Sequence, residues 1–190
     1  NLIRQFLQQT AWGELDVLVV DLPPGTGDAQ LTLIQGVDLS GAVIVTTPQE
    51  VALLDSRKSI NFAKTISVPV LGVVENMSGY TVRGKSEPNS PVSVMGPSGA
   101  HIDTESDDDG NWSVILDVFK SGGGKDAAEE LGVPFLGALP FDPGIVRGGD
   151  DGVHRIVAEP DGDSARAFDS VVQRITEELE RDTGRTLRIV

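Results

Sequence analysis

Three short runs of β-branched and aliphatic residues determine the fold class of this chain. They span residues 15–21, 42–47 and 70–76, and their apolar residues follow one another instead of alternating with polar ones. A strand with this pattern is buried on both faces, as in a parallel sheet covered by helices. Residues 50–66 carry apolar side chains at helical spacing. The strand–helix–strand order predicts an α/β fold, a parallel sheet with flanking helices.

The strand and helix pattern is interrupted over residues 78–117, which are rich in Gly, Pro, Ser and Asp. We expect an acidic insertion here, folded as a surface loop or hairpin, because long loops inside a domain are usually functional or disordered. The core pattern then resumes with a helix, a strand and a final helix, near residues 123–132, 135–139 and 163–182. Residues 184–190 are expected to form a tail, so residues 1–190 make one partial domain.

Charge and hydropathy argue against several classes of function. The 190 residues carry a formal net charge of −14, and such a field repels nucleic acid and anionic membranes. No apolar run approaches the roughly 20 residues that span a bilayer. The chain starts at Asn1 without a signal peptide pattern, which favours a cytoplasmic protein whose numbering begins inside a longer chain. The acidic, lysine-poor composition also suggests a halophilic source, as a hypothesis.

A glycine-rich stretch at residues 121–125 resembles a phosphate-binding loop at first sight. The first Gly at the required spacing is missing, and Asp126 stands where Ser or Thr would bind Mg²⁺. We therefore interpret it as a glycine-rich entry into a helix at 125–131. The chain also has no cysteine, so it contains neither a disulfide nor a thiolate metal site. His101 and His154 lack partners at ligand spacing and are interpreted as surface or loop residues.

The most informative motif, Asp21-Leu-Pro-Pro-Gly-Thr-Gly-Asp28, follows the first predicted strand. Ligands of open parallel sheets bind at the carboxyl ends of the strands. A carboxylate there orders Mg²⁺ in phosphoryl-transfer enzymes, often through a bound water. The glycine-rich turn would direct backbone N–H groups at a γ-phosphate. The alternative is a tight turn that Asp21 merely caps.

Two weaker motifs follow later strands. Asn76 comes at the end of the third predicted strand, and its side-chain amide can both donate to and accept from a purine edge. In Pro140-Phe141-Asp142-Pro143, Pro140 and Phe141 could cover the face of a base while Asp142 or nearby backbone meets its edge. Each motif, taken alone, is also a common turn.

Taken in order, these motifs resemble the Mrp/ApbC family of iron-sulfur cluster carriers, within the deviant-Walker ATPase class that includes the ParA and MinD proteins. The resemblance covers about residues 1–77 and 118–180, and its motifs lie at residues 21–28, 30–33, 41–49, 51–55, 68–78, 119–124 and 132–137. It implies a sandwich homodimer with ATP bound between the subunits. It also implies iron-sulfur clusters that are held at the dimer interface and passed to apo iron-sulfur proteins.

The resemblance also implies roles for individual residues. Asp21 would coordinate Mg²⁺ through water and Gly25 would approach the γ-phosphate. Asn76 would read adenine, with Pro140 and Asp142 lining the base pocket. The signature lysines of the family would lie upstream of the first residue. We therefore expect a Mg²⁺-dependent ATPase in the full-length protein and no hydrolysis by this chain alone.

One departure from the family leaves two functions open. Members usually carry a Cys-x-x-Cys pair after the Asn-Met-Ser segment, whereas here Ser78-Gly79-Tyr80 leads into the insertion. Thiolates are the usual cluster ligands. The leading interpretation is an Mrp-type cluster carrier, and the alternative is a cysteine-free paralogue that uses residues 78–117 to recognise a partner in a nucleotide-dependent way. A membrane-positioning ATPase is disfavoured, since the polar face of the helix at 163–182 is acidic instead of basic.

Overall fold

The computed structural model describes residues 5, 6, 9–22, 33, 36, 37 and 39–183. In chain order, the strands are β1 (Ala42–Thr46), β2 (Val70–Glu75), β3 (Tyr80–Lys85), β4 (Pro91–Met95), β5 (His101–Glu105), β6 (Asn111–Leu116) and β7 (Phe135–Ala138). The helices are α1 (Glu50–Thr65), α2 (Gly123–Leu131), α3 (Pro143–Asp151), α4 (Arg155–Ala158) and α5 (Asp163–Thr183). No helix in this part of the chain is long and apolar enough to cross a membrane.

A three-stranded parallel sheet in the order β1–β2–β7 forms the centre of the protein. Helix α1 connects β1 to β2, and it packs with α2 against one face of the sheet. Helix α5 packs against β2 and β7 on the opposite face. This arrangement confirms the predicted α/β class, and the helices predicted near residues 50–66, 123–132 and 163–182 are all present.

Two hydrophobic clusters explain why the strands are apolar at successive positions. Val73 and Val74 are neighbours on β2, and both are buried. Val73 packs on the α1–α2 side with Ile60 and Ala128, whereas Val74 belongs to the α5-side cluster that contains Val171. Burial of each such side chain contributes roughly 1.5–3 kcal/mol. A central strand therefore loses stability from a polar residue on either face.

The strand predicted over residues 15–21 is wrong for this structure. Residues 11–22 form no strand, and Val19 is 86% exposed. The only sheet that includes β1 in the described part of the chain runs β1–β2–β7, so no strand pairs with the outer edge of β1. A β-branched run becomes a strand when a neighbouring strand satisfies its backbone and buries its side chains, and residues 15–21 have no such neighbour here. Asp21 accordingly lies exposed in irregular chain.

Residues 80–116 form a nested pair of hairpins, which we call the arm. Strand β3 pairs antiparallel with β6, and β4 pairs antiparallel with β5 between them. Ser106 lies where the two hairpins join and is buried. Its hydroxyl donates to the Glu87 carbonyl oxygen at 2.6 Å and accepts from the Ser90 amide at 3.0 Å. The arm is thus an ordered β structure joined by polar contacts.

Helices α3 and α4 were not predicted. Asp142 caps the start of α3 by accepting a hydrogen bond from the Gly144 amide. Gly152 ends the helix in the left-handed conformation, with φ of 69°. Several glycines within this stretch weaken the helical signal in the sequence, because glycine is a poor helix former.

Candidate functional site

The carboxyl ends of the three central strands meet at one edge of the sheet. The Asn76 amide donates to the Thr46 carbonyl oxygen at 2.7 Å, which joins the ends of β1 and β2. The Leu139 amide donates to the Glu75 carbonyl oxygen at 2.7 Å, which joins the ends of β2 and β7. Ligands of parallel α/β sheets bind at this edge.

Beyond the edge, the chain segments that follow β2 and β7 run side by side. The Ser78 amide donates to the Leu139 carbonyl oxygen at 2.9 Å, and the Phe141 amide donates to the Gly79 carbonyl oxygen at 2.8 Å. The rings of Tyr80 and Phe141 meet edge to face at a centroid distance of 5.9 Å. The motif that contains Asn76 and the motif that contains Pro140 and Asp142 therefore lie on two hydrogen-bonded segments.

Asn76 has the hydrogen-bonding capacity expected of a group that reads a base. The side chain is half-buried, and its Oδ1 accepts from the Met77 amide at 2.9 Å. Its Nδ2 makes no hydrogen bond within the described part of the chain, and Oδ1 retains a second lone pair. One donor and one acceptor on the same amide match the two neighbouring polar positions on an adenine edge.

The side chain that organises this edge is Glu75, to which the sequence analysis gave no role. It is 1% exposed. Its Oε1 accepts from the Ser78 hydroxyl at 2.5 Å and from the Gly122 amide at 3.0 Å, and its Oε2 accepts from the Gly124 amide at 2.6 Å. The N-cap of α2, Gly122, offers no side-chain cap, so the carboxylate of Glu75 serves that purpose from 47 positions earlier.

The packing at the start of α2 explains its three consecutive glycines. Gly122 is in the left-handed conformation with φ of 86°. A Cβ on Gly123 would lie 2.8 Å from Leu53 Cδ1, and one on Gly124 would lie 3.0 Å from Glu75 Cβ. The prediction of a glycine-rich helix entry at this position is confirmed, since α2 begins at Gly123. The helix N-terminus already holds a protein carboxylate, so it is not free to bind phosphate.

Asp142 is fully engaged by groups of the protein itself. Its Oδ1 accepts from the Gly144 amide at 2.7 Å. Its Oδ2 accepts from Ser164 Oγ at 2.7 Å and from Arg155 Nε at 3.2 Å. Burial opposes ionisation, but the hydrogen bonds from Ser164, Gly144 and Arg155 outweigh it and lower the pKa of Asp142. The carboxylate thus fixes the loop after β7.

A cleft of about 280 Å³ lies between the base of the arm and the loop after β7. Its lining includes Tyr80 and Arg83 from the arm and Pro140 and Asp142 from the loop. Arg83 forms an ion pair with Asp163 at the start of α5, and its hydrogen bond is the main cause that lowers the pKa of Asp163. The arm therefore supplies one wall of a cleft that also contains two predicted site residues.

Two further predicted site residues belong to the segment that begins at residue 21. Asp21 lies exposed in irregular chain, and Gly25 lies outside the described residues, as does the predicted tail at 184–190. His101 pairs with Ser93 through its Nδ1 at 3.1 Å on the outer part of the arm. Across the described ranges, no three His, Cys, Asp or Glu side chains are grouped in a way that could hold a metal ion.

The fold is that of the P-loop NTPase class. The cell-division ATPase MinD of Pyrococcus furiosus superposes with a TM-score of 0.59 at 21% identity, over 92% of this chain and 57% of MinD. At that identity the likeness shows the fold. A nucleotide-binding protein from Archaeoglobus fulgidus, solved in complex with ADP, superposes with a TM-score of 0.53 at 35% identity, over 80% of this chain and 51% of that protein.

The chain belongs to the ParA family described as NUBPL iron-transfer P-loop NTPases, whose model matches residues 1–101 and 110–176. The iron-sulfur cluster carrier protein of Synechocystis is 45% identical over 92% of this chain and 42% of its own length. The carrier of Methanocaldococcus jannaschii is 40% identical over 94% of this chain and 52% of its own length. The chain thus spans about half the length of these curated relatives, and the resemblance found in the sequence is confirmed.

Proposed function

We propose that the intact protein is an ATP-binding and ATP-hydrolysing carrier of iron-sulfur clusters, which works as a nucleotide-switched homodimer in the cytoplasm. The observation that carries this proposal is the family match together with the placement of Asn76 at the carboxyl end of the central strand. ATP would close the dimer and hydrolysis would reopen it, as in other nucleotide switches. The cluster is the cargo, and apo iron-sulfur proteins are the recipients.

The described edge supplies the base-binding half of the ATP site in this proposal. The side-chain amide of Asn76 would donate through Nδ2 to an adenine edge and accept from it through Oδ1. Pro140 and the backbone beside it cover the base, and Asp142 holds that loop in place through its three hydrogen bonds. The ADP complex of the Archaeoglobus relative supports a nucleotide as the ligand class.

The phosphate-binding half of the ATP site is assigned to the segment that begins at Asp21. The N-terminus of α2 is occupied by the carboxylate of Glu75, so this helix does not offer a competing phosphate site. Asp21 would order Mg²⁺ through water, and Gly25 would approach the γ-phosphate. Asp21 is exposed, which suits a carboxylate that binds a hydrated cation.

Binding of the iron-sulfur cluster, the other part of the proposal, requires ligands from outside this chain. The chain has no cysteine, and its described residues hold no His, Cys, Asp or Glu group suited to a metal ion. A second candidate function therefore deserves a test, a nucleotide-dependent partner-binding protein without a cluster. The ordered arm favours it, because residues 80–116 present a two-hairpin surface where family members usually carry their cysteine pair.

The proposed ATP binding is tested by calorimetric titration of the intact protein with ATP, in Mg²⁺ buffer. Asn76→Ala should weaken ATP binding by about tenfold, since two hydrogen bonds of roughly 0.5–1.5 kcal/mol each are lost. Asn61→Ala is the matched control, because Asn61 is exposed on α1 and away from the sheet edge. Equal affinities for wild type and the Asn76→Ala variant would contradict the base assignment.

A further inference from the structure

Glu75 is a buried carboxylate whose role goes beyond the groups assigned to the nucleotide. Among the described residues it is the one Asp, Glu, Lys or Arg side chain that is buried. A carboxyl group in such a place is costly unless hydrogen bonds satisfy it. Glu75 receives three, from the hydroxyl of Ser78 and from the amides of Gly122 and Gly124. The question is therefore which parts of the protein these three hydrogen bonds hold together.

The three donors come from two separate chain segments. Ser78 lies two residues after Asn76, before the arm in sequence. Gly122 and Gly124 lie after the arm in sequence, at the N-cap and in the first turn of α2. The carboxylate therefore ties the turn after β2 to the first turn of a helix that packs against the same strand. The arm lies between the two tied segments in sequence.

The turn that carries Asn76 is fixed at each of its residues. The Asn76 amide is bound to Thr46, and the Ser78 amide is bound to Leu139. Met77 adopts a left-handed conformation with φ of 58°, which is unfavourable for a residue with a side chain. Such a conformation persists only where the surrounding contacts determine it. The hydrogen bond from the Ser78 hydroxyl to Glu75 ties this turn to the buried carboxylate.

We propose that Glu75 is the positioning residue of the base pocket. Its carboxylate holds the 76–78 turn against α2, so that the side-chain amide of Asn76 faces the base. This inference rests on the proposed binding of ATP at this edge. Glu75 itself does not touch the nucleotide, because all three of its hydrogen bonds are internal and its side chain is buried.

The rival explanation is that Glu75 only caps α2 and stabilises the fold. The two explanations differ in what should happen to base recognition. Loss of a positioning residue weakens the part of the ATP affinity that comes from the base and does not change the part that comes from the phosphates. A loss of stability alone lowers the melting temperature without changing the preference for adenine over guanine.

The test uses Glu75→Gln in the intact protein, with ATP, GTP and inorganic tripolyphosphate as probes. Glutamine keeps the volume but replaces one carboxylate oxygen with an NH2 group. That group cannot accept a hydrogen bond from the backbone amides at the α2 N-terminus. We expect ATP affinity to fall at least tenfold and the ATP-to-GTP preference to shrink by a similar factor. Tripolyphosphate affinity should stay within twofold of wild type. Equal weakening of all three ligands, or no change in any, would overturn the inference.

Two further variants protect the test against loss of folding. Ser78→Ala removes the donor on the turn and leaves both amide donors of the α2 cap in place. It should reduce the ATP-to-GTP preference and lower the melting temperature by several degrees, because one hydrogen bond to the buried carboxylate is lost. Ala128→Gly weakens α2 at a buried site without touching Glu75, so it should lower the melting temperature and keep the preference. A preference kept in both Ser78→Ala and Glu75→Gln, with only the melting temperature lowered, supports the rival explanation and overturns the inference. A wild-type protein that binds no ATP overturns the proposed function as well, and the wild-type titration shows this before any variant is compared.

Discussion

Gly124→Ala is the substitution for which the structure gives the clearest magnitude. An alanine in a helix normally stabilises by about 0.5–1 kcal/mol relative to glycine. Here the new Cβ would lie 3.0 Å from Glu75 Cβ, 3.1 Å from Glu75 Oε2 and 3.2 Å from Thr46 Cγ2. Both neighbours are buried at strand ends, so they have little room to move. Overpacking of this kind costs about 1–3 kcal/mol.

The same substitution also strains the hydrogen bond from the Gly124 amide to Glu75, which is 2.6 Å long. Hydrogen bonds to charged groups contribute about 1.5–3 kcal/mol, and partial loss of this bond adds to the steric cost. We therefore expect a net destabilisation of roughly 1–3 kcal/mol. At about 2–4 °C for each kcal/mol in a protein of this size, the melting temperature should fall by several degrees.

The assay is thermal and urea denaturation of the intact protein, followed by circular dichroism. Gly149→Ala is the matched control, because Gly149 lies within α3 and a Cβ there would meet no atom within 4 Å. This control should leave stability unchanged or raise it by up to about 1 kcal/mol. If Gly124→Ala were as stable as Gly149→Ala, the packing account of the glycine run would be refuted.

Two other substitutions test the loop after β7 and the arm. Hydrogen bonds lower the pKa of Asp142, so its contribution to stability is present above its unfolded pKa of about 3.9 and is lost as pH falls through the lower folded pKa. Asp142→Asn should therefore destabilise the protein at pH 7, and its difference from wild type in urea unfolding should shrink below about pH 4. A difference independent of pH would contradict this assignment. Gly84→Ala places a Cβ 2.1 Å from Trp112 Cζ2, so the indole must move and its fluorescence emission should shift; an unchanged spectrum and melting curve would contradict the described packing of the arm.

The central sheet could be predicted from the sequence because its signals are local. The apolar run that ends at Glu75 and the helical spacing of residues 50–66 each specify one element without reference to the others. β2 and α1 formed as expected because both of their apolar patterns are buried against neighbours that are present. The run at residues 15–21 carries the same local signal, but a strand also needs a partner, and the described chain supplies none at the edge of β1.

The site was predicted less completely, because its key contacts join residues that are distant in sequence. Asn76 and Pro140 were placed by their position after strands. Glu75 was missed, although a carboxylate at the end of an otherwise apolar strand and a triple glycine before an uncapped helix were both visible. Nothing local indicates that these two features meet across 47 positions. The hydrogen bonds of Asp142 were likewise not predicted, since its partners Arg155 and Ser164 come from elements that the sequence did not link to it.

The most direct test of the proposed carrier function is anaerobic iron-sulfur reconstitution of the intact protein, with iron and sulfide counted per dimer after desalting. We predict a stable cluster whose ligands lie outside this chain, together with ATP binding that depends on Asn76. A protein that binds ATP but retains no iron or sulfide would contradict the carrier function and support the nucleotide-dependent partner-binding protein with its arm as the recognition surface.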